Sequence, residues 1–90
     1  MNQADLIAIT EAIDALDKER YAMGPAWNVA HELVVGHEGE AFFDRLYALL
    51  HRIEGDHSNA SYWYGQAGVD EFDGDARAEA KALLKELEEA

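Results

Sequence analysis

Apolar residues return every three or four positions along most of this chain, which is the period of a helix with one buried face. The pattern predicts a first helix over residues 4–22, with an apolar stripe of Leu6, Ile9, Ile13 and Leu16. A second helix begins at Gly24-Pro25, because proline fits a first turn, where its missing N–H needs no partner. Its predicted buried side consists of Trp27, Ala30, Leu33 and Val34.

The third helix is predicted over residues 40–54, after a short connection rich in turn formers at residues 36–39. Because the connection is short, the second and third helices should be antiparallel neighbours. The apolar positions of the third helix cover nearly half of its circumference, which predicts that it is the centre of the core. These positions are Phe42, Phe43, Leu46, Leu49, Leu50 and Ile53.

Two further helices complete the prediction. A short fourth helix follows Gly55, is capped by Asp56 or Ser58, and ends at Gly68. Gly65 inside it either marks a close approach of helices or weakens the helix by about 1 kcal/mol relative to alanine. After a loop over residues 69–75, with Asp73 or Asp75 as the cap, the last helix begins at residue 76. Its narrow apolar stripe consists of Ala80, Leu83, Leu84 and Leu87.

The segment HRIEGDHSNASYWYGQAG, residues 51–68, has the pattern of a turn between two packed helices. Ala48 lies twelve positions before Ala60, and Tyr64 follows Ala60 by four positions. This spacing resembles a tetratricopeptide or Sel1-like helical hairpin. Asp44 stands where that pattern has a bulky residue, and Phe72 stands at its usual terminal proline. No second copy follows at the tetratricopeptide period of about 34 residues, so the sequence does not predict a repeat array.

Three blocks between residues 26 and 68 carry a wider resemblance: AWNVAHE, LHRIEGD and NASYWYGQAG. Together they resemble a family of small uncharacterised bacterial helical proteins. The resemblance covers nearly half of the chain, implies the helical fold, and brings no assigned activity.

The length of the chain predicts one small domain over residues 1–90, and the apolar periodicity predicts that it is all-α with about five helices. The resemblance to a tetratricopeptide hairpin implies helical-hairpin, tetratricopeptide-like packing. A chain of 90 residues buries only about two-thirds of its unfolded surface, so its stability margin should be modest. A homodimer would add buried surface, and we expect one. Cysteine is absent, which excludes disulfides, thiolate metal sites and cysteine nucleophiles.

The charge is strongly acidic, with 19 acidic and 7 basic residues and a net charge of −12. Its field repels phosphate backbones and anionic lipid surfaces, so we expect neither a nucleic-acid nor a membrane partner, and a protein partner should be basic. No apolar run approaches the roughly 20 residues that span a membrane. The start MNQADLIAIT lacks the basic residues of a signal peptide, so a cytoplasmic location is expected.

Two functional hypotheses fit these residues. The first is a protein–protein interaction or self-association module that uses the aromatic fourth helix and the last helix. Because Tyr62, Trp63 and Tyr64 are consecutive on a helix, they cannot all face the core. The candidate interface consists of Tyr62, Trp63, Leu83 and Leu87.

The second hypothesis is a small-ligand or metal-binding protein, or an enzyme with histidine and carboxylate chemistry. Its candidate pocket consists of Trp27, His31, Tyr47, His51, Glu54 and Tyr64. The chain lacks both HExxH and the Glu-x-x-His pair of di-iron bundles. His31 and His51 would also lie about 9 Å apart along facing helices, too far for one ion. The sequence therefore predicts no metal, cofactor or catalytic residue. Instead, His31 and His51 are expected to form a semi-buried, hydrogen-bonded polar layer with Tyr47, Glu54 and Tyr64.

Overall fold

Five α-helices form in the order that the apolar periodicity predicts, in a computed structural model that describes residues 2–90. They are α1 (Gln3–Lys18), α2 (Pro25–Val35), α3 (Ala41–Glu54), α4 (His57–Ala67) and α5 (Ala76–Glu89). Residues 2–90 contain no strand, so the all-α prediction is confirmed. None of these helices is long and apolar enough to cross a membrane.

Side-chain caps decide where α4 and α5 begin. The Asp56 carboxylate accepts a hydrogen bond from the Asn59 backbone N–H at 3.1 Å, so Asp56 rather than Ser58 caps α4. Asp75 accepts from the Ala78 N–H at 2.8 Å and in the same way caps α5. Each carboxylate satisfies one of the N–H groups that a helix start leaves without a partner.

The first helix ends four residues earlier than predicted. Arg20 and Tyr21 adopt left-handed backbone angles, with φ of 57° and 55°, which end the helix and turn the chain. The Glu19 carboxylate reaches across this turn and accepts the Ala26 backbone N–H of α2 at 3.2 Å. It provides the side-chain cap that Gly24, at the helix start, cannot supply.

The third helix is the centre of the core, as predicted. It packs against α2, α4 and α5, while α1 packs against α2 and α5. Every residue from Phe43 to His51 is buried. A smaller cluster joins α3 to α4 through Ala48, Ala60 and Tyr64, so the small residues of the predicted hairpin do allow close packing.

Candidate functional site

Six rings from α2, α3 and α4 form one connected cluster, which we call the ring cluster: Trp27, His31, Tyr47, His51, Tyr62 and Trp63. Tyr47 is at its centre, with ring centroids 5.4 Å from His31, 5.0 Å from His51 and 4.2 Å from Trp63. Trp27 stacks on His31 at 5.0 Å, and Tyr62 contacts Trp63 edge-on at 5.1 Å. Nearly all of these separations lie in the range of favourable aromatic pairs.

Helical spacing explains half of this arrangement. His31 follows Trp27 by four positions and His51 follows Tyr47 by four, so each pair is stacked along its own helix. The contacts of Tyr47 with His31 and Trp63 join different helices, and they depend on how α2 and α4 pack on α3. The sequence could therefore predict each stacked pair within a helix, but not that the pairs contact one another.

The rings of the cluster on α2 and α3 are largely buried, whereas Tyr62 on α4 is exposed. The Trp27 indole N–H donates to the Leu50 carbonyl oxygen at 2.8 Å, which ties α2 to α3. Trp27, Tyr47 and His51 are each only 8% exposed, whereas Tyr62 is 56% exposed. A ligand would therefore approach from the side of α4.

Carboxylates border the ring cluster. Burial, and then the negative charges of Glu38 and Glu54, raise the pKa of the Tyr47 hydroxyl. Glu54 also lies against His51, with 2.5 Å between Glu54 Oε1 and His51 Nδ1. Both glutamates are exposed, whereas Tyr47 and His51 are buried and the exposed ring of the cluster is that of Tyr62.

Tyr64 lies outside the ring cluster, which corrects the predicted six-residue pocket. Its hydroxyl donates to the Glu79 carboxylate, at 2.6 and 2.7 Å from the two oxygens. Arg52 donates to the same carboxylate at 2.6 Å and also to the Gly74 carbonyl oxygen. Burial, and then Glu79, strongly raise the pKa of Tyr64. Tyr64 also packs with the small residues Ala48 and Ala60 where α4 meets α3.

Sequence reasoning missed Glu79, which is 2% exposed. One signal was present, because Glu79 lies four positions before Leu83 and therefore on the apolar face of α5. An acidic residue at such a position indicates a buried partner of opposite charge or a hydrogen-bond donor.

Leu83 and Leu87 are not on a free surface, which corrects the predicted interface. They are 1% and 3% exposed and belong to the main core, where α5 packs against α1 and α3. The apolar stripe of α5 is narrow, and the fold itself covers it. Of the four predicted interface residues, Tyr62 and Trp63 keep surface exposure.

His31 and His51 contact the same ring, Tyr47, but only His51 belongs, within residues 2–90, to a group with the spacing of metal ligands. Tyr47 contacts both His31 and His51, whereas the residue that pairs with His51 is Glu54. Within residues 2–90, one group of three side chains has the spacing of metal ligands, namely His51, Glu54 and Asp56. The expected polar layer thus divides into two separate groups. One consists of His51, Glu54 and Asp56, and the other is the hydrogen-bonded network of Tyr64, Glu79 and Arg52.

These observations define an all-α domain of five helices with an aromatic face bordered by carboxylates. Comparison of the chain with protein-family models, with curated proteins and with solved structures finds no match. The resemblances noted in the sequence therefore stay predictions.

Proposed function

We propose that this protein is an interaction module that binds a basic segment of a partner protein on its ring cluster. The observation that carries the proposal is the continuity of the cluster, which extends from buried Trp27 to exposed Tyr62 and includes His51, whose Nδ1 lies 2.5 Å from the Glu54 carboxylate. The ring cluster contains two residues of the predicted interface, Tyr62 and Trp63. It also contains four of the six residues of the predicted pocket.

Aromatic faces and carboxylates together suit a lysine or arginine side chain. A cation within about 6 Å of a ring face gains roughly 0.5–1 kcal/mol when exposed and about 2 kcal/mol when desolvated. A carboxylate beside the ring adds a charge-assisted hydrogen bond. The net charge of −12 would also speed the approach of a basic partner.

The same charges argue against a second copy of the chain on this face. Two copies would bring the Glu38 and Glu54 carboxylates of one protomer towards those of the other, and like charges across an interface oppose binding. The expected homodimer would need another face. A small-ligand pocket of six residues has less support, because Tyr64 faces Glu79 instead of the ring cluster.

The test is titration of the protein with a lysine- and arginine-rich helical peptide. Binding is measured by calorimetry and by the change in fluorescence of Trp27 and Trp63. We expect Tyr62→Ala to weaken binding by about fivefold or more, since exposed aromatic anchors often contribute more than 1 kcal/mol. Val29→Ala is the matched control, because Val29 is 65% exposed but lies outside the ring cluster.

A charge comparison separates local recognition from general attraction. Glu38→Gln removes a carboxylate near Tyr47, whereas Glu89→Gln removes an exposed one at the end of α5. We expect a larger loss of affinity for Glu38→Gln. Equal losses for the two charge variants, or no loss for Tyr62→Ala, would mean that the peptide binds through net charge alone.

A further inference from the structure

We propose that His51, Glu54 and Asp56 form a binding site for a divalent transition-metal ion such as Zn²⁺, at the turn between α3 and α4. One ligand atom from each side chain lies within 4.8 Å of the other two. Tetrahedral coordination at about 2.0–2.2 Å requires ligand atoms roughly 3.3 Å apart, so small side-chain rotations would bring the three atoms around one ion.

The local sequence HRIEGD creates this spacing. His51 and Glu54 occupy the last turn of α3, where residues three apart are neighbours. Gly55 then takes a left-handed conformation, with φ of 84°, and reverses the chain. The Asp56 backbone N–H donates to the His51 carbonyl oxygen at 2.8 Å, which holds Asp56 beside the end of the helix.

The imidazole of His51 is held in place for binding. Its ring stacks on Tyr47 with an interplanar angle of 12°, and its Nδ1 is directed at Glu54. The stacking on Tyr47 restricts rotation of the ring, so less freedom is lost when an ion replaces the hydrogen bond between Nδ1 and Glu54.

The two carboxylates favour a cation, and the site leaves room for water. The site lies between the C-terminus of α3, where the helix dipole is negative, and the N-terminus of α4, where it is positive, so the two dipoles offset each other. The Glu54 side chain is 29% exposed, so water can complete the coordination. One imidazole with two carboxylates is a donor set that suits Zn²⁺ and related ions better than Ca²⁺.

The present role of Asp56 is compatible with metal binding. One of its oxygens accepts the Asn59 backbone N–H at the start of α4, and the other accepts the Asn59 side-chain amide at 2.6 Å. The amide is exposed and can rotate away, so the second oxygen can bind an ion while the first keeps the helix cap.

A second histidine–glutamate pair in the same chain serves as a control for metal binding at His51 and Glu54. His37 and Glu40 have the same i, i+3 spacing, with 2.7 Å between Nδ1 and Oε2. Within residues 2–90, no third ligand group completes this pair as Asp56 completes the other. If a histidine–glutamate pair alone were enough to bind a metal ion, both pairs would bind one. The proposed site also requires Asp56.

The experiment is calorimetric titration of the untagged chain with ZnCl₂, with fluorescence quenching by Co²⁺ as the second readout, since Trp63 stacks on the Tyr47 that contacts His51. We expect one Zn²⁺ per chain and a loss of affinity of about tenfold or more for Asp56→Asn. Asparagine caps a helix as well as aspartate does, so this variant should stay folded.

Two further variants decide the assignment. His51→Ala should abolish the saturable binding, and His37→Ala should leave it unchanged, with circular dichroism confirming the helical content of both. The proposal is overturned if the wild-type chain binds no Zn²⁺, if His37→Ala and His51→Ala weaken binding equally, or if Asp56→Asn binds as tightly as the wild type.

Discussion

At the scale of single residues, the carboxylate of Glu79 is a polar group buried in the core. A charge removed from water is costly unless it is paired and hydrogen-bonded. Glu79 is paired with the Arg52 guanidinium and accepts a hydrogen bond from the Tyr64 hydroxyl. These contacts join α3, α4 and α5, so the charge also specifies how three helices meet.

Removal of the Tyr64 hydroxyl tests this network. We expect Tyr64→Phe to lower the free energy of unfolding by about 1.5–3 kcal/mol, the usual value for a hydrogen bond to a charged group. Urea unfolding at neutral pH measures the change. Tyr62→Phe is the control, because Tyr62 is exposed and its hydroxyl should contribute little.

The raised pKa of Tyr64 adds a pH dependence with a definite sign. Above the unfolded value of about 10, the unfolded chain releases the tyrosine proton while the native state keeps it. The stabilisation is therefore complete below pH 10 and is lost as the pH rises further. We expect urea unfolding of the wild type to show a steeper loss of stability above pH 10 than Tyr64→Phe shows. Parallel profiles would contradict this assignment.

At the scale of the helix, α4 contains a glycine that its packing does not require. A Cβ added at Gly65 would meet nothing within 4 Å, so the close approach that the sequence left open does not occur there. Gly65 therefore only weakens a helix of 11 residues.

We expect Gly65→Ala to stabilise the protein by up to about 1 kcal/mol, which raises the melting temperature of a domain of this size by roughly 4–8 °C. Differential scanning calorimetry measures the shift. Gly55→Ala should have the opposite effect, because φ at Gly55 is 84°, a conformation that disfavours a side chain. A lower melting temperature for Gly65→Ala would show that α4 needs this glycine.

At the scale of the whole molecule, the acidic charges repel one another. The Debye length is about 30 Å at 10 mM salt, and the molecule measures 30 × 27 × 23 Å, so every charge then acts on every other. At 0.15 M salt the Debye length falls to about 8 Å, and repulsion is limited to near neighbours.

We therefore expect the melting temperature to rise when NaCl increases from about 10 to 150 mM. The double variant Glu88→Gln/Glu89→Gln changes the net charge from −12 to −10 and should reduce this salt effect. A melting temperature that falls with salt would mean that the exposed ion pairs Asp14–Lys18 and Asp17–Arg77 outweigh the repulsion.

The sequence by itself determined the helices and their order, because helical period, caps and turn-forming glycines act over a few neighbouring residues. It also identified α3 as the central helix, since a wide apolar surface must be covered from several sides. The early end of α1 escaped it, because Arg20 and Tyr21 adopt left-handed backbone angles that their residue types rarely take.

The tertiary structure decided which side chains meet. It joined Trp63 to Tyr47, turned Tyr64 towards Glu79, and buried Leu83 and Leu87 of α5 against α1 and α3. Each of these outcomes depends on how α4 and α5 cross α3. A helix fixes the angle between its own side chains, but the rotation of one helix against another follows from packing across the whole core.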